Sequence, residues 1–337
     1  QIATFVKEMK DQYGWTISVV HSQYGGYSEL LDKVGKELSQ GNEPSMAYAY
    51  PDHVASYIAS DKVLPLDNLI NNNDARVALT KDEQNDYVDA FMQEGREYDH
   101  SNTTLSVPFS KSTEVMFYNK TFFEKNNLTV PKTWAQVSEV SQKIKDLNVK
   151  DLVAPFGYDS DDNLFITRTA QLGNPYTALD ANLQGKPTFN TAANHQMVEQ
   201  LVGLHEKGYL TTKGLLGDYT SNAFKKQQLM MAVGSTGGTN HNVPTAGEFE
   251  VGVAVAPQEK EGSNKVILQG PSVVLFRKGI RPKVEDEAGN IVWAQPQPTQ
   301  AEINEMVGAW MFYKFITKPE NTIQQATGTG YLPVRLS

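Results

Sequence analysis

The chain contains no cysteine among its 337 residues. Disulfide bridges, thiolate metal sites and cysteine nucleophiles are therefore excluded for this sequence. It also lacks any apolar run of the roughly 18 residues that a membrane-spanning helix needs, and its N-terminus has no basic start followed by an apolar core. We therefore expect no membrane-spanning segment in this chain.

Excess positive charge is also absent, since the formal net charge is −9. Nucleic-acid binding requires clustered Lys and Arg to neutralise phosphates, so we predict no nucleic-acid partner. The composition, 39% hydrophobic and 20% charged, is that of an ordinary globular protein without low-complexity tracts. The length exceeds what one compact core usually holds, which indicates two domains.

Catalytic and metal-binding signatures are incomplete. His205 and Glu206 begin a zincin-like string, but Tyr209 occupies the place of the second histidine. Gly234–Asn240 lacks the Lys-Ser/Thr of a phosphate loop, and the calcium-like run from Asp159 has Ala170 where a bidentate Glu belongs. We predict no catalytic residue, no metal and no cofactor, although the many Asp and Glu residues leave an acid–base pair open.

Apolar periodicity predicts an α/β protein. The predicted helices cover Ser28–Ser39, the segment after a capping box formed by Thr133 and Gln136, Met197–Leu204 and Ile303–Phe315. The predicted strands are Trp15–Val20, Val251–Val255 and Ser272–Phe276, of which the last two are expected to be buried. Alternation of helices with strands indicates largely parallel sheets.

Separated motifs carry a family resemblance. The stretch Val107–Trp134 reads VPFSKSTEVMFYNKTFFEKNNLTVPKTW, and Ala309–Arg335 reads AWMFYKFITKPENTIQQATGTGYLPVR. Together with Ala223–Asn240 and Gln269–Phe276 between them, they occur in the order typical of ABC-importer solute receptors. The chain thus resembles extracellular solute-binding protein family 1, the maltose-binding-protein-like receptors. The resemblance implies a periplasmic-binding-protein-like fold of two α/β lobes, each a largely parallel sheet flanked by helices, joined by hinge strands.

The resemblance also implies where the chain crosses between lobes. Crossings are expected near Phe109, Ile267 and Gly328, which assigns residues 1–109 plus 267–327 to lobe 1 and residues 110–266 plus 328–337 to lobe 2. The polar segment 277–299 is predicted to be a surface hairpin or loop, with contact to a partner as the alternative. Family members have a strand before the first helix and further helices after GYLPV, so we expect both to lie outside this sequence.

Polar and aromatic residues next to strand ends are the candidate ligand contacts. The turn HSQYGGY offers tyrosine faces for sugar C–H groups, and the family often places an aromatic residue and an acid after the next strand. The Ser/Gly loop that ends a buried strand could hold a hydroxyl or an anion through its backbone N–H groups. From the first lobe we predict Tyr24, Tyr27, Tyr50, Asp52 and His53; on the hinge side Ser110, Ser112, Gly270 and Tyr331; and from the second lobe Tyr158, Asp159, Ser235 and Thr236.

The implied function is that of a receptor. It would capture an oligosaccharide in an interlobe cleft and deliver it to the transmembrane permease subunits of an ABC importer. The expected form is a monomer, either free in the periplasm or at the cell surface as a lipoprotein whose lipid anchor lies upstream of this sequence.

Three alternatives stay open. A glycerol 3-phosphate or glycerophosphodiester ligand is favoured by the Ser/Gly loop Gly234–Asn240 and opposed by the acidic loop Gly157–Asn163, which suits sugar hydroxyls and would repel phosphate. A carbohydrate-active hydrolase with paired carboxylates belongs to another class. A sensor subunit that signals through a membrane kinase would use the same fold.

Overall fold

A computed structural model describes residues 1–98, 101–180, 184–245, 247–279, 283–285, 291–293 and 298–337. Its helices are α1 Ile2–Tyr13, α2 Tyr27–Gln40, α3 Pro51–Ile58, α4 Asp67–Ile70, α5 Lys81–Asp86, α6 Asp89–Glu94, α7 Lys120–Lys125, α8 Trp134–Asp146, α9 Asp161–Leu172, α10 Ala192–Glu206, α11 Lys213–Leu216, α12 Thr220–Lys225, α13 Thr239–Asn242, α14 Gln300–Ile316 and α15 Pro319–Thr329. Its strands are β1 Met46–Ala49, β2 Val107–Pro108, β3 Ser112–Asn119, β4 Phe156–Tyr158, β5 Thr177–Leu179, β6 Gly185–Pro187, β7 Leu210–Thr212, β8 Met231–Ser235, β9 Val251–Val255, β10 Leu268–Gln269, β11 Ser272–Leu275, β12 Lys283–Glu285 and β13 Ile291–Trp293.

The chain forms two compact units. Unit 1 comprises Gln1–Lys111, Gly270–Gly328 and Pro333–Ser337, and unit 2 comprises Ser112–Gln269 and Thr329–Leu332. The last five residues therefore differ from the prediction that assigned 328–337 as a whole to lobe 2. The reason is backbone pairing within unit 1, because Val88 N–H donates to the Val334 carbonyl and Leu336 N–H donates to the Asp86 carbonyl.

Unit 1 is built on a small antiparallel sheet in the order β1-β11-β2. All four residues of β11 are buried, as predicted for this strand. Val34 and Leu38 of α2 and Val54 and Tyr57 of α3 are buried in a hydrophobic cluster with Val274 of the central strand. The apolar stripe of α2 is thus covered, which confirms the helix predicted there.

Unit 2 is built on a mixed sheet in the order β10-β3-β8-β4-β7, with β9 also paired to β3. The strand β4 is parallel to β7 and β8, whereas β3 is antiparallel to β8, β9 and β10. The prediction of largely parallel sheets is therefore wrong for both units. Helix–strand alternation does not encode the direction in which a strand enters a unit after the chain has left it and returned.

Two predicted strands also differ from the structure. Trp15–Val20 is not a strand, although its residues alternate in exposure, because no strand in the described part of the chain pairs with it. Val251–Val255 is a strand, but Val253 and Val255 are 58% and 57% exposed. Within the described residues β9 pairs with β3 alone, so these two side chains are uncovered at the edge of the sheet.

The segment 277–299 contains a strand pair in its described part. The strands β12 and β13 are antiparallel, with Val284 opposite Val292. Residues 280–282, 286–290 and 294–297 lie outside the described residues, so the surface hairpin or loop stays a prediction. No helix in the described residues is both long enough and apolar enough to cross a membrane.

Helix α8 begins as its sequence predicts. The Thr133 hydroxyl accepts the Gln136 N–H, and the Gln136 side-chain oxygen accepts the Thr133 N–H, which completes the capping box. Val137, Val140 and Ile144 then pack in the core of unit 2.

The capping box makes a stability prediction. We expect Thr133→Ala to lower the free energy of unfolding by about 1 kcal/mol, because an N–H in the first turn loses its acceptor. Urea denaturation checks this, with the exposed Glu139→Ala in the same helix as control, expected within about 0.5 kcal/mol of the wild type. Equal effects of the two substitutions would show that the cap contributes nothing.

Candidate functional site

An aromatic ladder runs from the surface of unit 1 into its core. Tyr27, at the start of α2, and Tyr50, at the N-cap of α3, meet edge to face with ring centroids 4.7 Å apart. Tyr50 lies 6.0 Å from His53, His53 lies 6.5 Å from Tyr57, and Tyr57 lies 5.6 Å from Phe276. Exposure falls along this series, from an exposed Tyr27 to a fully buried Phe276. The buried members fix the orientation of the outer two rings.

The predicted contacts Asp52 and His53 differ in their exposure to solvent. The Asp52 side chain is 78% exposed in the first turn of α3, where a carboxylate interacts favourably with the helix dipole. His53 is buried, and its Nδ1 has no hydrogen-bond partner among the described residues. We therefore correct the prediction for His53: its ring packs between Tyr50 and Tyr57 as part of the core.

Further aromatic faces lie at the surface of unit 1. Tyr24 is exposed and has the Lys33 ammonium 5.7 Å from its ring centroid. Tyr48, which was not among the predicted contacts, is exposed on β1 and stacks on Phe109 at 5.3 Å with an interplanar angle of 17°. A signal for Tyr48 was present, because it precedes Tyr50 by the two residues that separate side chains on one face of a strand.

Lys111, where the chain leaves unit 1, pairs with Glu94 of α6 and also bonds to Gly270, where the chain re-enters unit 1. Lys111 Nζ, fully buried, lies 2.5 Å from Glu94 Oε1 and donates to the Gly270 carbonyl at 3.1 Å. Ser110 N–H donates to the Pro271 carbonyl, and the Ser110 hydroxyl accepts from Gln325 Nε2 at 3.4 Å. Sequence reasoning missed the ion pair, although a lysine inside a buried run was its signal.

The Gly270 backbone lies close to the backbone of Ser110. Its φ of +110° disfavours other residues, and a Cβ here would lie 2.0 Å from the Ser110 carbonyl oxygen. The missing side chain therefore accommodates the chain's own backbone, and contact between the Gly270 backbone and a ligand stays a prediction.

In unit 2, the start of β3 and the carboxyl ends of β4 and β8 meet at one edge of the sheet. Tyr158 of β4 lies opposite Val233 of β8, and Ser235 at the end of β8 lies opposite Glu114 of β3. We call this edge the unit 2 rim, defined by Ser112, Glu114, Asp159, Asn163, Ser235, Thr236, Gln269 and Tyr331. The polar ends of strands and the loops that follow them offer both donors and acceptors there.

Tyr158 lies below the rim, in the core. It is buried, it stacks on Trp134 at 6.4 Å, and its hydroxyl donates to Glu114 Oε2. The prediction of a ligand contact at Tyr158 is corrected on this ground. Sequence reasoning missed Glu114, the carboxylate that accepts this hydrogen bond. Its position was a signal, because a glutamate two residues after Ser112 lies on the same face of the strand and is unusual in an apolar run.

The acidic loop is partly used by the protein itself. Asp159 Oδ1 accepts both the N–H and the hydroxyl of Thr220 at 2.8 and 2.7 Å, at the start of α12. Asp161 Oδ2 accepts the Gly214 N–H at 2.9 Å. These carboxylates therefore anchor the neighbouring helices α11 and α12.

The hydroxyls of the Ser/Gly loop are held by short-range contacts. Ser235 Oγ accepts the Gly237 N–H at 3.1 Å, and Thr236 Oγ1 accepts the Thr113 N–H at 3.4 Å. The Tyr331 ring packs on Gly237 so closely that a Cβ there would lie 2.8 Å from the ring. Ser112 pairs through its backbone with Gln269. The structure thus brings Ser112, Ser235, Thr236 and Tyr331 together in unit 2, and their contact with a ligand stays a prediction.

Similarity to known proteins agrees with this architecture. The chain is 24% identical over 327 residues to the sn-glycerol-3-phosphate-binding periplasmic protein UgpB of Pectobacterium atrosepticum, with 94% of this chain and 66% of that protein covered. The corresponding UgpB of Escherichia coli K12 is 23% identical over 329 residues, covering 94% of this chain and 67% of that protein. The chain thus spans about two thirds of the length of these curated relatives.

Solved structures of different ligand complexes resemble the fold equally well. UgpB from Mycobacterium tuberculosis in complex with glycerophosphocholine has a TM-score of 0.74 at 19% identity, covering 99% of this chain and 78% of that one. The ABC substrate-binding protein Lmo0181 from Listeria monocytogenes in complex with cycloalternan also has a TM-score of 0.74, at 14% identity, covering 100% of this chain and 77% of that one.

These likenesses define the class of protein. The chain is a mixed α/β protein with the two-lobe fold of periplasmic binding proteins. It belongs to the bacterial extracellular solute-binding protein family, whose family model matches residues 4–337.

Proposed function

We propose that this chain is the substrate-binding receptor of an ABC importer and that its ligand is an oligosaccharide, which it delivers to the permease subunits. The observation that carries the proposal is the presence of oriented, exposed aromatic faces in unit 1 together with a polar rim in unit 2. Tyrosine rings pack on sugar C–H groups, while carboxylates and amides bind sugar hydroxyls. Tyr27, Tyr50 and Asp52 are the contacts we propose from unit 1.

Charge favours the sugar over a phosphate compound. The defined rim carries Glu114 and Asp159, and no Arg or Lys is among its members. Lys111 is buried and paired with Glu94, so its charge is already neutralised. A phosphate would meet carboxylates without a compensating cation at these residues.

The second candidate ligand is glycerol 3-phosphate or a glycerophosphodiester. The names of the curated relatives favour it, and so does the Ser/Gly loop with its backbone N–H groups. Binding of such a ligand would require a cation that the defined rim does not supply.

A hydrolase is the candidate from another class. The carboxylates of Glu114, Asp159 and Asp161 each accept hydrogen bonds from the protein, which suits anchoring better than proton transfer. Incubation of the protein with glycans should leave them intact. New reducing ends at a rate proportional to protein concentration would favour the hydrolase.

The exposed acid Asp52 and the adjacent ladder ring Tyr50 are the basis of a binding prediction. We expect Asp52→Ala and Tyr50→Ala each to weaken binding of the glycan about tenfold or more. Asp52→Ala removes a hydrogen bond to a charged group, which contributes roughly 1.5–3 kcal/mol, and Tyr50→Ala removes an aromatic face that packs on sugar C–H groups. Calorimetric titration measures this. Asp32→Ala, which removes an exposed carboxylate from α2, is the matched control and should bind like the wild type. Wild-type affinity in both test variants would remove this surface from the site.

A further inference from the structure

A buried carboxylate in unit 2 holds a short series of amide groups. Glu114 Oε2 accepts from the Tyr158 hydroxyl and, at 3.5 Å, from the Thr167 hydroxyl, while Glu114 Oε1 accepts from Asn163 Nδ2 at 3.0 Å. The same Asn163 nitrogen donates to Gln269 Oε1 at 3.1 Å. Asn163 and Gln269 are both half-buried, whereas Glu114 is buried.

This series has only one consistent orientation. An ionised carboxylate accepts hydrogen bonds and cannot donate them, so the NH₂ group of Asn163 must face Glu114. The second N–H of that group then faces Gln269, which must present its carbonyl oxygen in return. The amide oxygen of Asn163 is left as an acceptor, and the amide nitrogen of Gln269 is left as a donor.

The backbone around both amides is fixed independently. Asn163 is the third residue of α9, and its N–H donates to the Ser160 hydroxyl at the N-cap. Gln269 ends β10, where it pairs with Ser112 of β3. The two amides therefore stand at fixed positions of the unit 2 rim.

We propose that Glu114 is a positioning residue that orients Asn163 and Gln269 as an acceptor–donor pair for a ligand hydroxyl. The inference rests on the proposed function and adds a selection rule to it. A sugar or polyol hydroxyl both donates and accepts, so it can bond to Asn163 Oδ1 and Gln269 Nε2 together. An oxygen of an ionised phosphate only accepts, so it can use Gln269 alone and meets the Asn163 oxygen unfavourably.

Protonation of Glu114 should loosen this orientation. Burial raises the pKa of the Glu114 carboxyl, the hydrogen bonds from Tyr158 and Asn163 oppose the rise, and the charge of Asp159 adds to it. As the pH falls through this raised value, the carboxyl gains an O–H that can donate to an amide oxygen. The Asn163 amide can then turn over.

The orientation can be tested without a ligand. In ¹⁵N-labelled protein, the side-chain amide signals of Asn163 and Gln269 should shift together with one midpoint as the pH is lowered. Both shifts should be absent in Glu114→Gln. The Asn194 amide, which donates to the Phe189 carbonyl, serves as an internal control and should not follow them. Independent midpoints, or an unchanged titration in Glu114→Gln, would overturn the proposal.

A double variant separates orientation from fold stability. In Asn163→Asp two carboxylates face each other and neither can donate a hydrogen bond. In Glu114→Gln/Asn163→Asp the amide NH₂ group introduced at position 114 can donate to the carboxylate introduced at position 163. In the double variant Gln269 must turn its nitrogen toward the carboxylate introduced at position 163 and present its oxygen outward. We expect its melting temperature to recover relative to Asn163→Asp, while its affinity for maltotriose stays about tenfold below that of the wild type. Full recovery of affinity would show that Glu114 acts only on stability.

The orientation of the amides by Glu114 and the recognition of a ligand hydroxyl by these amides can be tested separately. Wild-type protein that binds neither maltotriose nor glycerol 3-phosphate in calorimetry would contradict the hydroxyl-recognition step together with the proposed ligand, and the amide titration would still decide the orientation. Unchanged affinity for maltotriose in Glu114→Gln would contradict the hydroxyl-recognition step alone.

Discussion

Glu94→Gln is expected to lower the free energy of unfolding by about 3 kcal/mol, the low end of the range for breaking a buried ion pair, since Glu94 is 22% exposed. The substitution leaves the Lys111 ammonium fully buried with only neutral acceptors, among them the Gly270 carbonyl. Urea denaturation measures the loss. Lys111→Met, which removes the charge and retains the apolar stem, should be milder, and the double variant should resemble Lys111→Met.

The pH dependence of this loss has a definite sign. Burial lowers the pKa of Lys111, and Glu94 opposes that shift. The folded state therefore favours the neutral amine, and stability gained from this group rises with pH between the lowered folded value and the ordinary value of 10.5. Without Glu94 the folded pKa falls further, so the deficit of Glu94→Gln should shrink as the pH rises through the folded pKa of the variant toward that of the wild type. A constant deficit would contradict a buried charge as its cause.

Gly270→Ala is the second substitution with a large expected effect. The alanine would have to adopt a φ of +110° and place its Cβ 2.0 Å from the Ser110 carbonyl oxygen, which is backbone and cannot turn aside. We expect a loss of at least about 3 kcal/mol from strain and steric overlap together. The loss would be measured by urea denaturation.

Gly35→Ala supplies the matched control. Gly35 lies inside α2, and a Cβ at this position would meet no atom of the described residues within 4 Å, so alanine there should stabilise by roughly 0.5–1 kcal/mol. Opposite signs for the two glycines are the expected result. Similar small effects at both positions would contradict the close backbone approach at Gly270.

The helices were the most predictable part of the fold. The Thr133–Gln136 box and the stripe Val137–Ile144 are local signals, and the structure confirms them. Strand environment was less predictable because it depends on distant neighbours. The alternation in Trp15–Val20 is typical of a strand, but no strand in the described residues pairs with it. The valine-rich sequence of β9 is typical of a buried strand, yet β9 lies at the edge of the sheet with Val253 and Val255 exposed.

The candidate site was predictable in its location more than in its residues. The sequence indicated the strand ends near Tyr50, Asp159 and Ser235, and the structure gathers the last two at the unit 2 rim. It could not distinguish an outward tyrosine from Tyr158, whose ring is in the core, because burial is set by packing against Trp134 and Glu114. The Glu114–Asn163–Gln269 series joins residues far apart in the chain, so no local pattern indicates it.

The central claim, an oligosaccharide receptor, is tested most directly by the melting temperature of the protein with maltotriose, other storage and plant glycans, glycerol 3-phosphate and glycerophosphocholine. A ligand at about 100 times its dissociation constant adds roughly 2.7 kcal/mol, enough to raise the melting temperature by several degrees. We predict such a rise with one class of glycan, recovered intact afterwards. A rise with the phosphate compounds alone would contradict the claim and assign the chain a glycerol-phosphate ligand.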